Sequence, residues 1–120
     1  MKTILLVDDS ATLLMSMQAI LKKAGYEVET ATGGDAALKK LQTMKPNLMI
    51  TDLNMPGMDG ITLIKEVKKQ AAFRFMPVLM MTTESQQEKR TEARTAGATG
   101  WLVKPVQPDQ LLEVLKKLLP

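Results

Sequence analysis

Polar residues follow four short apolar runs of the chain, at the point where each run ends. They are Asp8 and Asp9, Asp52, Thr82 and Lys104, after runs that begin at Ile4, Leu48, Val78 and Trp101. If these runs are parallel strands of one sheet, three carboxylates, a hydroxyl and an ammonium meet at one edge. Because clustered carboxylates repel one another unless a cation lies among them, the pattern predicts a divalent metal, a reactive aspartate and two groups that hold a phosphoryl oxygen.

Two adjacent acidic residues open the loop after the first run. Asp8 and Asp9 can engage one hard cation directly and through a water, as suits Mg²⁺, which keeps several of its waters. Asp52 adds a third carboxylate, and the backbone carbonyl of Asn54 can turn back toward the same metal. The sequence therefore predicts a Mg²⁺ site.

Asp52 is also the best candidate for a nucleophile. An aspartate can form an aspartyl-phosphate when a metal neutralises the charge that builds on the transferring group. Thr82 can donate a hydrogen bond to one phosphoryl oxygen, and Lys104 can place a positive charge beside another. Each residue alone also fits a helix cap, a turn or a solvated loop, but their joint position at four strand ends favours phosphoryl transfer.

The elements that would position these residues alternate between strand and helix five times. Predicted strands cover 2–7, 27–31, 48–51, 78–81 and 100–103. Predicted helices cover 10–24, 85–96, a segment from Ile61 to Val67 and a segment from Pro108 to Leu119. A further helix, the second along the chain, is marked by Ala37, Leu38, Leu41 and Met44 and ends before Pro46. In the first helix the predicted apolar stripe is Leu13, Met17, Ile20, Leu21 and Ala24. Apolar strands that alternate with helices indicate an α/β fold, a doubly wound five-stranded parallel sheet with helices on both faces.

Composition limits the class of protein. The chain has 120 residues, of which 45% are hydrophobic and 24% are charged, as in a globular domain of ordinary size. It has no apolar run of membrane-spanning length, and its N-terminus makes a poor signal peptide. It also has no cysteine, so we expect a cytoplasmic protein without disulfides and without a membrane partner.

The charged and titratable residues narrow the function further. The chain has no histidine, so it could take only the aspartate side of a histidine-to-aspartate phosphoryl transfer. Its net charge is +3, but its lysine pairs fall late in predicted helices, where they complement the helix dipole. We therefore expect no direct contact with nucleic acid.

Three motifs resemble the receiver domain of two-component response regulators. They are Val7-Asp8-Asp9-Ser10, the run from Thr51 through Asp52-Leu53-Asn54-Met55-Pro56-Gly57-Met58-Asp59 to Gly60, and Val103-Lys104-Pro105. The resemblance covers 1–120 and implies a single receiver domain with no output domain, five helices and a flavodoxin-like strand order of 2-1-3-4-5. The runs 54–56 and 80–84 favour the single-domain chemotaxis branch of the family.

The resemblance also implies a role for each residue of the site. Asp52 would be the phosphoacceptor, Asp9, Asp52 and the Asn54 carbonyl would bind Mg²⁺, and Asp8 would act through water. Thr82 and Lys104 would bind the phosphoryl group, and the bond that precedes Pro105 would be cis. Such a protein is not an enzyme in the usual sense but a signalling phosphoacceptor that assists its own phosphorylation and dephosphorylation.

Partners and output follow from the same resemblance. The phosphodonor would be a histidine kinase, CheA-like in the chemotaxis branch, and the target would be a flagellar switch protein or a phosphotransfer protein. We expect a monomer. Phosphorylation would draw Thr82 toward the new oxygens and free space beneath Trp101, which stands where the family often has a tyrosine that swings inward. The predicted docking surface on the fourth helix comprises Gln86, Gln87, Lys89, Arg90 and Arg94.

Other functions stay open on the residues alone. Within the receiver family, the chain could be a phosphorelay intermediate or a phosphate sink in a non-chemotaxis pathway. A phosphatase with an aspartate nucleophile typically carries a second aspartate two residues later, and here that residue is Asn54. A flavodoxin-like module for a small ligand needs a loop that cradles phosphate after the first strand, where this chain has Asp8 and Asp9.

Overall fold

Five parallel strands form one sheet in the order β2-β1-β3-β4-β5. In the computed structural model, which describes residues 1–83 and 87–119, the strands are β1 (Thr3–Val7), β2 (Glu27–Ala31), β3 (Leu48–Asp52), β4 (Val78–Thr82) and β5 (Gly100–Val103). The helices are α1 (Ala11–Lys23), α2 (Gly34–Lys40), α3 (Gly60–Lys68), α4 (Gln87–Ala96) and α5 (Pro108–Leu118). The predicted doubly wound fold and strand order are both confirmed.

The sheet is buried on both faces by two separate apolar clusters. One cluster packs α2, α3 and α4 against one face, and the other packs α1 and α5 against the opposite face. Successive strand residues alternate between the clusters, as Leu79 and Met80 do in β4. This double burial explains why the strands read as continuous apolar runs.

Polar caps fix where two helices begin beside the carboxyl edge of the sheet. The Ser10 hydroxyl accepts a hydrogen bond from the Leu13 N–H at 3.2 Å, at the start of α1. The Asp59 carboxylate accepts one from the Thr62 N–H at 2.8 Å, at the start of α3. Each cap satisfies a backbone donor that the helix itself leaves unpaired. The caps therefore fix the ends of the loops that follow β1 and β3.

Several boundaries and faces differ from the sequence prediction. In α1 the buried residues include Leu14, while Ala24, which we placed on the apolar stripe, is exposed just beyond the helix end. The second helix ends at Lys40, before Leu41, because the chain turns there toward β3. A short 3₁₀ turn at Ala71–Phe73 was not predicted.

The fourth helix matches its prediction in burial. Ala93 is its buried residue, and Ala96 packs partly against the same cluster. The predicted start at Ser85, the docking residue Gln86, and Glu84 of the motif 80–84 lie outside the described residues. None of the helices in the described part of the chain has the length and apolar character needed to cross a membrane.

Candidate functional site

Three aspartates come together at the carboxyl edge of the sheet. Asp8 and Asp9 follow β1, and Asp52 ends β3, the strand beside it. One carboxylate oxygen from each residue lies within 4.8 Å of those of the other two. Asp8 is 1% exposed and Asp52 is 6% exposed, whereas Asp9 is open to solvent. The structure thus brings together the three carboxylates that the sequence placed at one edge.

Backbone N–H groups orient the two buried carboxylates. Oδ1 of Asp8 accepts a hydrogen bond from the Ser10 N–H at 2.9 Å. Oδ1 of Asp52 accepts one from the Leu53 N–H, also at 2.9 Å. Each donor lies one or two residues after the aspartate that accepts from it. The local turn of the backbone therefore fixes the direction of each carboxylate.

Lys104 links the two buried carboxylates. Its Nζ lies 3.0 Å from Oδ2 of Asp8 and 3.3 Å from Oδ1 of Asp52. Its backbone N–H donates to the carbonyl oxygen of Thr82 at 2.8 Å, which ties the end of β5 to the end of β4. The bond between Lys104 and Pro105 is cis, as the resemblance implied. The lysine ammonium therefore lies among the acids rather than in solvent.

Burial and the nearby positive charge shift the pKa of the Asp52 carboxyl in opposite directions. Burial raises the pKa of its carboxyl above the ordinary value, and the neighbouring Asp8 carboxylate raises this pKa further. The positive charge and hydrogen bond of Lys104, and the hydrogen bond from Leu53, lower it in part. A buried carboxylate whose pKa is raised in this way gains from a cation placed beside it.

Thr82 and Trp101 share one face of the sheet. Thr82 is fully buried at the end of β4, and its register partner on β5 is Val103. Two residues earlier, Met80 pairs with Trp101. Since every second strand residue points to the same face, Thr82 and Trp101 both face the side that α4 covers.

Trp101 also contacts the fourth helix. The guanidinium carbon of Arg90 lies 5.8 Å from the centre of the indole ring, a cation–π distance. Trp101 is half-buried and packs partly against the cluster beneath α4. The aromatic position is therefore held from outside by a residue of the predicted docking surface.

The loop between β3 and α3 depends on two glycines whose structural need the sequence analysis did not identify. Gly57 has a φ of +79°, which favours glycine. At Gly60, a Cβ atom would overlap the backbone carbonyl oxygen of Asp52 and approach Cα of Leu53 to 3.0 Å. The recurrence of glycine at both ends of the run 57–60 is the signal that could have shown this. Asn54 is exposed in this loop, and its side chain makes no hydrogen bond within the described residues.

The donor set fits a hard divalent cation. The three side chains offer carboxylate oxygens within one small volume, and no nitrogen or sulfur ligand is among them. The Asp9 carboxylate is exposed to solvent, so a metal ion held there could keep several of its waters. Oxygen donors with access to water are the environment that Mg²⁺ prefers.

Comparison with known proteins identifies the family. A family model described as the response regulator receiver domain matches residues 4–116. The chain belongs to this family. Membership makes it part of two-component signalling, in which a histidine kinase supplies the phosphoryl group and a downstream target reads it.

Individual relatives of this receiver domain differ in length and context. The chemotaxis protein CheY of Thermotoga maritima is 39% identical over 118 residues, which are 98% of this chain and 97% of the relative. The alkaline phosphatase synthesis transcriptional regulatory protein PhoP of Bacillus subtilis is 34% identical over 98% of this chain. The chain spans only 48% of PhoP.

Solved structures match this receiver domain closely. The chemotaxis protein CheY4 of Vibrio cholerae superposes with a TM-score of 0.96 at 45% identity, covering 99% of each chain. The response regulator TrrA of Thermotoga maritima, in complex with Mg²⁺ and BeF, superposes with a TM-score of 0.87 at 33% identity, covering 99% of this chain and 100% of the other.

Proposed function

We propose that this receiver domain accepts a phosphoryl group on Asp52, with Mg²⁺, from a histidine kinase. It then signals through the face formed by α4, β5 and α5. The observation that carries the proposal is the position of the Asp52 carboxylate, which lies 3.3 Å from the Lys104 ammonium and beside Asp8 and Asp9. A nucleophile, a fixed cation and two further metal-ligating carboxylates stand together there.

The residues divide the chemistry of the transfer among them. An Asp52 carboxylate oxygen forms a bond to phosphorus as the phosphorus–nitrogen bond to the donor histidine breaks, and the leaving imidazole keeps the electron pair. The Lys104 ammonium balances charge on a phosphoryl oxygen, and the Thr82 hydroxyl donates a hydrogen bond to another. Attack by water on the aspartyl-phosphate later returns Asp52 to a carboxylate and releases phosphate.

A Mg²⁺ ion would be held by Asp9, Asp52 and the Asn54 carbonyl, with Asp8 acting through water. When bound, this ion supplies positive charge that neutralises the transferring group. The raised pKa of Asp52 and the acidic donor set support this role. The Mg²⁺ and BeF complex of TrrA further supports such a site in this family.

The output step is a population shift. Phosphorylation draws Thr82 toward the new oxygens, which leaves space beneath Trp101 on the same face of the sheet. Trp101 then moves into that space. The α4 helix buries little apolar surface beyond Ala93, so its displacement costs little. The docking surface would then include Lys89, Arg90 and Arg94.

A chemotaxis pathway is the context we propose, with a CheA-like kinase as donor and a flagellar switch protein as target. Support comes from likeness to CheY proteins across nearly their whole length. A relay to a phosphotransfer protein, or a phosphate sink, uses the same pocket. An aspartate-based phosphatase is disfavoured by Asn54, where such enzymes typically have an acid.

Beryllofluoride with Mg²⁺, which imitates the phosphoryl group, tests the switch. We expect changed Trp101 fluorescence and changed amide signals across 82–105, with both effects absent in Asp52→Asn. Asp35→Asn, an exposed acid at the start of α2, is the matched control and should respond as the wild type does. If neither signal changes in the wild-type protein, the switch mechanism is wrong.

A further inference from the structure

Exposed basic residues gather at the amino edge of the sheet, opposite the edge that carries the three aspartates. Each helix between parallel strands runs back from the carboxyl end of one strand to the amino end of the next, so the helix C-termini lie at this edge. The last turns of α1 and α5 are basic, and Lys2 and Arg74 precede β1 and β4. We name these exposed residues the basic edge; they include Lys2, Lys22, Lys23, Arg74, Lys116 and Lys117.

Three segments that lead into strands lie side by side at this edge. Asn47, just before β3, donates its backbone N–H to the carbonyl oxygen of Thr3 at 2.8 Å. Met49 donates its backbone N–H to the carbonyl oxygen of Pro77 at 3.1 Å. The chain that leads into β1 thus adjoins the chain that leads into β3, which adjoins the loop that leads into β4. Basic residues that are dispersed in the sequence therefore share one edge of the molecule.

A phenylalanine projects from the same edge. Phe75 is 91% exposed, although Phe73 and Met76 of the same loop are buried. The ammonium of Lys68, at the end of α3, donates hydrogen bonds to the carbonyl oxygens of Phe73 and Arg74, both at 3.2 Å, and to that of Met76. The loop is thus fixed on both sides of Phe75, so the fold itself holds this ring in solvent.

We infer that the basic edge binds the surface of an anionic lipid bilayer, with the ring of Phe75 in the apolar layer beneath the headgroups. An aromatic ring beside lysine and arginine fits a partner that is anionic at its surface and apolar just below. Met1, which is 87% exposed beside Lys2, adds a second apolar side chain at this edge. A nucleic acid or an acidic protein would match the charge but offers no such apolar layer.

Nearby acidic residues leave the edge positive. Glu27 lies at the start of β2 and Glu66 in the last turn of α3. The Glu66 carboxylate is paired with Lys69 at 2.7 Å, and the Glu27 carboxylate accepts a hydrogen bond from the Thr3 hydroxyl at 3.3 Å. The exposed Asp9 follows β1, at the opposite edge. A bilayer at the basic edge would therefore leave the aspartates turned to solvent.

Contact of this kind lies on the membrane surface and requires no spanning helix. It departs from the sequence-based expectation of no membrane partner, which treated each lysine pair as a local complement to its own helix. The inference goes beyond the proposed function and does not depend on it, because the basic edge and the three aspartates lie at opposite ends of the strands.

Flotation with vesicles tests the inference. At low salt, the protein should bind vesicles of phosphatidylglycerol mixed with phosphatidylcholine, should not bind phosphatidylcholine alone, and should bind less at higher salt. Phe75→Ser should weaken binding about tenfold or more, because burial of a phenyl ring contributes that much affinity. Arg74→Gln should weaken it about fivefold, as expected for one charge near an anionic surface.

Matched controls come from exposed residues away from the basic edge. Met15→Ser is the control for Phe75→Ser, because Met15 is an exposed apolar residue in the first half of α1. Lys89→Gln, in the first half of α4, is the control for Arg74→Gln and leaves the same net charge. Both controls should bind the anionic vesicles within about twofold of the wild type, since charges beyond a Debye length are screened.

Several results would overturn the inference. They are equal binding with and without phosphatidylglycerol, binding by Phe75→Ser equal to that of the wild type, and binding to neither kind of vesicle. Oligothymidylate, titrated under the same conditions, identifies a nucleic acid partner instead. Tighter binding to oligothymidylate than to the anionic vesicles, with the same loss in Phe75→Ser, would also overturn the inference.

Discussion

The ammonium of Lys104 lies 3.3 Å from the carboxylate of Asp52, in a pocket where burial and Asp8 both disfavour the negative charge of Asp52. Lys104 thus places a positive charge beside the carboxylate that we propose as the phosphoacceptor. The same ammonium also lies 3.0 Å from the Asp8 carboxylate, so Lys104 is paired with both acids. The lysine would exchange part of this pairing for a phosphoryl oxygen upon phosphorylation.

Lys104→Met should raise the pKa of Asp52 further, because it removes the charge and hydrogen bond that lower that pKa. Carbon-detected NMR titration of the Asp52 carboxyl, without metal, measures the change. Lys39→Met, an exposed lysine in the last turn of α2, is the control and should leave the Asp52 titration unaltered. An unchanged or lowered pKa in Lys104→Met would show that Lys104 does not act on Asp52 as described.

Asp52→Asn should raise the free energy of unfolding at pH 7 in the absence of metal. The folded-state pKa of Asp52 lies above the ordinary value of 3.8, so the folded protein holds the proton more tightly than the unfolded chain does. The stability from this group is complete below the unfolded-state pKa and is lost as pH rises through the folded-state pKa. Urea unfolding from pH 7 downward should therefore show the advantage of the variant shrinking toward acid; an advantage that does not vary with pH would contradict the account.

Asp9→Asn should weaken Mg²⁺ binding while it leaves the stability of the metal-free fold nearly unchanged. Asp9 is exposed and makes no hydrogen bond within the described residues, so Asp9→Asn should change the stability of the metal-free protein little. Mg²⁺ at a hundred times its Kd should stabilise the wild type by about 2.7 kcal/mol. At the same Mg²⁺ concentration, Asp9→Asn should lose most of this gain, while Asp35→Asn should keep it. Thermal unfolding with and without Mg²⁺ gives both numbers, and equal stabilisation of all three proteins would exclude Asp9 as a ligand.

Gly60→Ala should disturb Asp52 through its backbone. The added Cβ would overlap the Asp52 carbonyl oxygen, so either the strand end or the start of α3 must move, at a cost of about 1–3 kcal/mol. Gly33→Ala is the control, because its Cβ meets nothing within 4 Å and its backbone is extended. Chemical denaturation compares the two variants. A Gly60→Ala protein as stable as Gly33→Ala would show that the close approach is not required.

The sheet was predictable from sequence because each buried strand is a short apolar run that ends in a polar residue. The four polar strand ends also proved close in space, as the contacts of Lys104 with Asp8, Asp52 and the backbone of Thr82 show. Helix ends were harder to predict: α2 stops at Lys40 although Leu41 and Met44 continue its apolar spacing, because the turn toward β3 also buries Leu41.

Features that depend on contacts between distant residues could not be predicted. The contact of Arg90 with Trp101 depends on how α4 lies over β5. Asp9 and Asp8 are adjacent in sequence, yet only the fold decides that one is solvent-exposed and the other buried.

Identification of the phosphorylated residue tests the central claim most directly. The protein would be incubated with Mg²⁺ and acetyl phosphate, reduced with borohydride to convert an aspartyl-phosphate into homoserine, and mapped by peptide mass spectrometry. We expect homoserine at residue 52 in the wild type and in Asp35→Asn, none in Asp52→Asn, and none when Mg²⁺ is removed. Homoserine at a different aspartate, or the same yield at residue 52 without Mg²⁺, would contradict it.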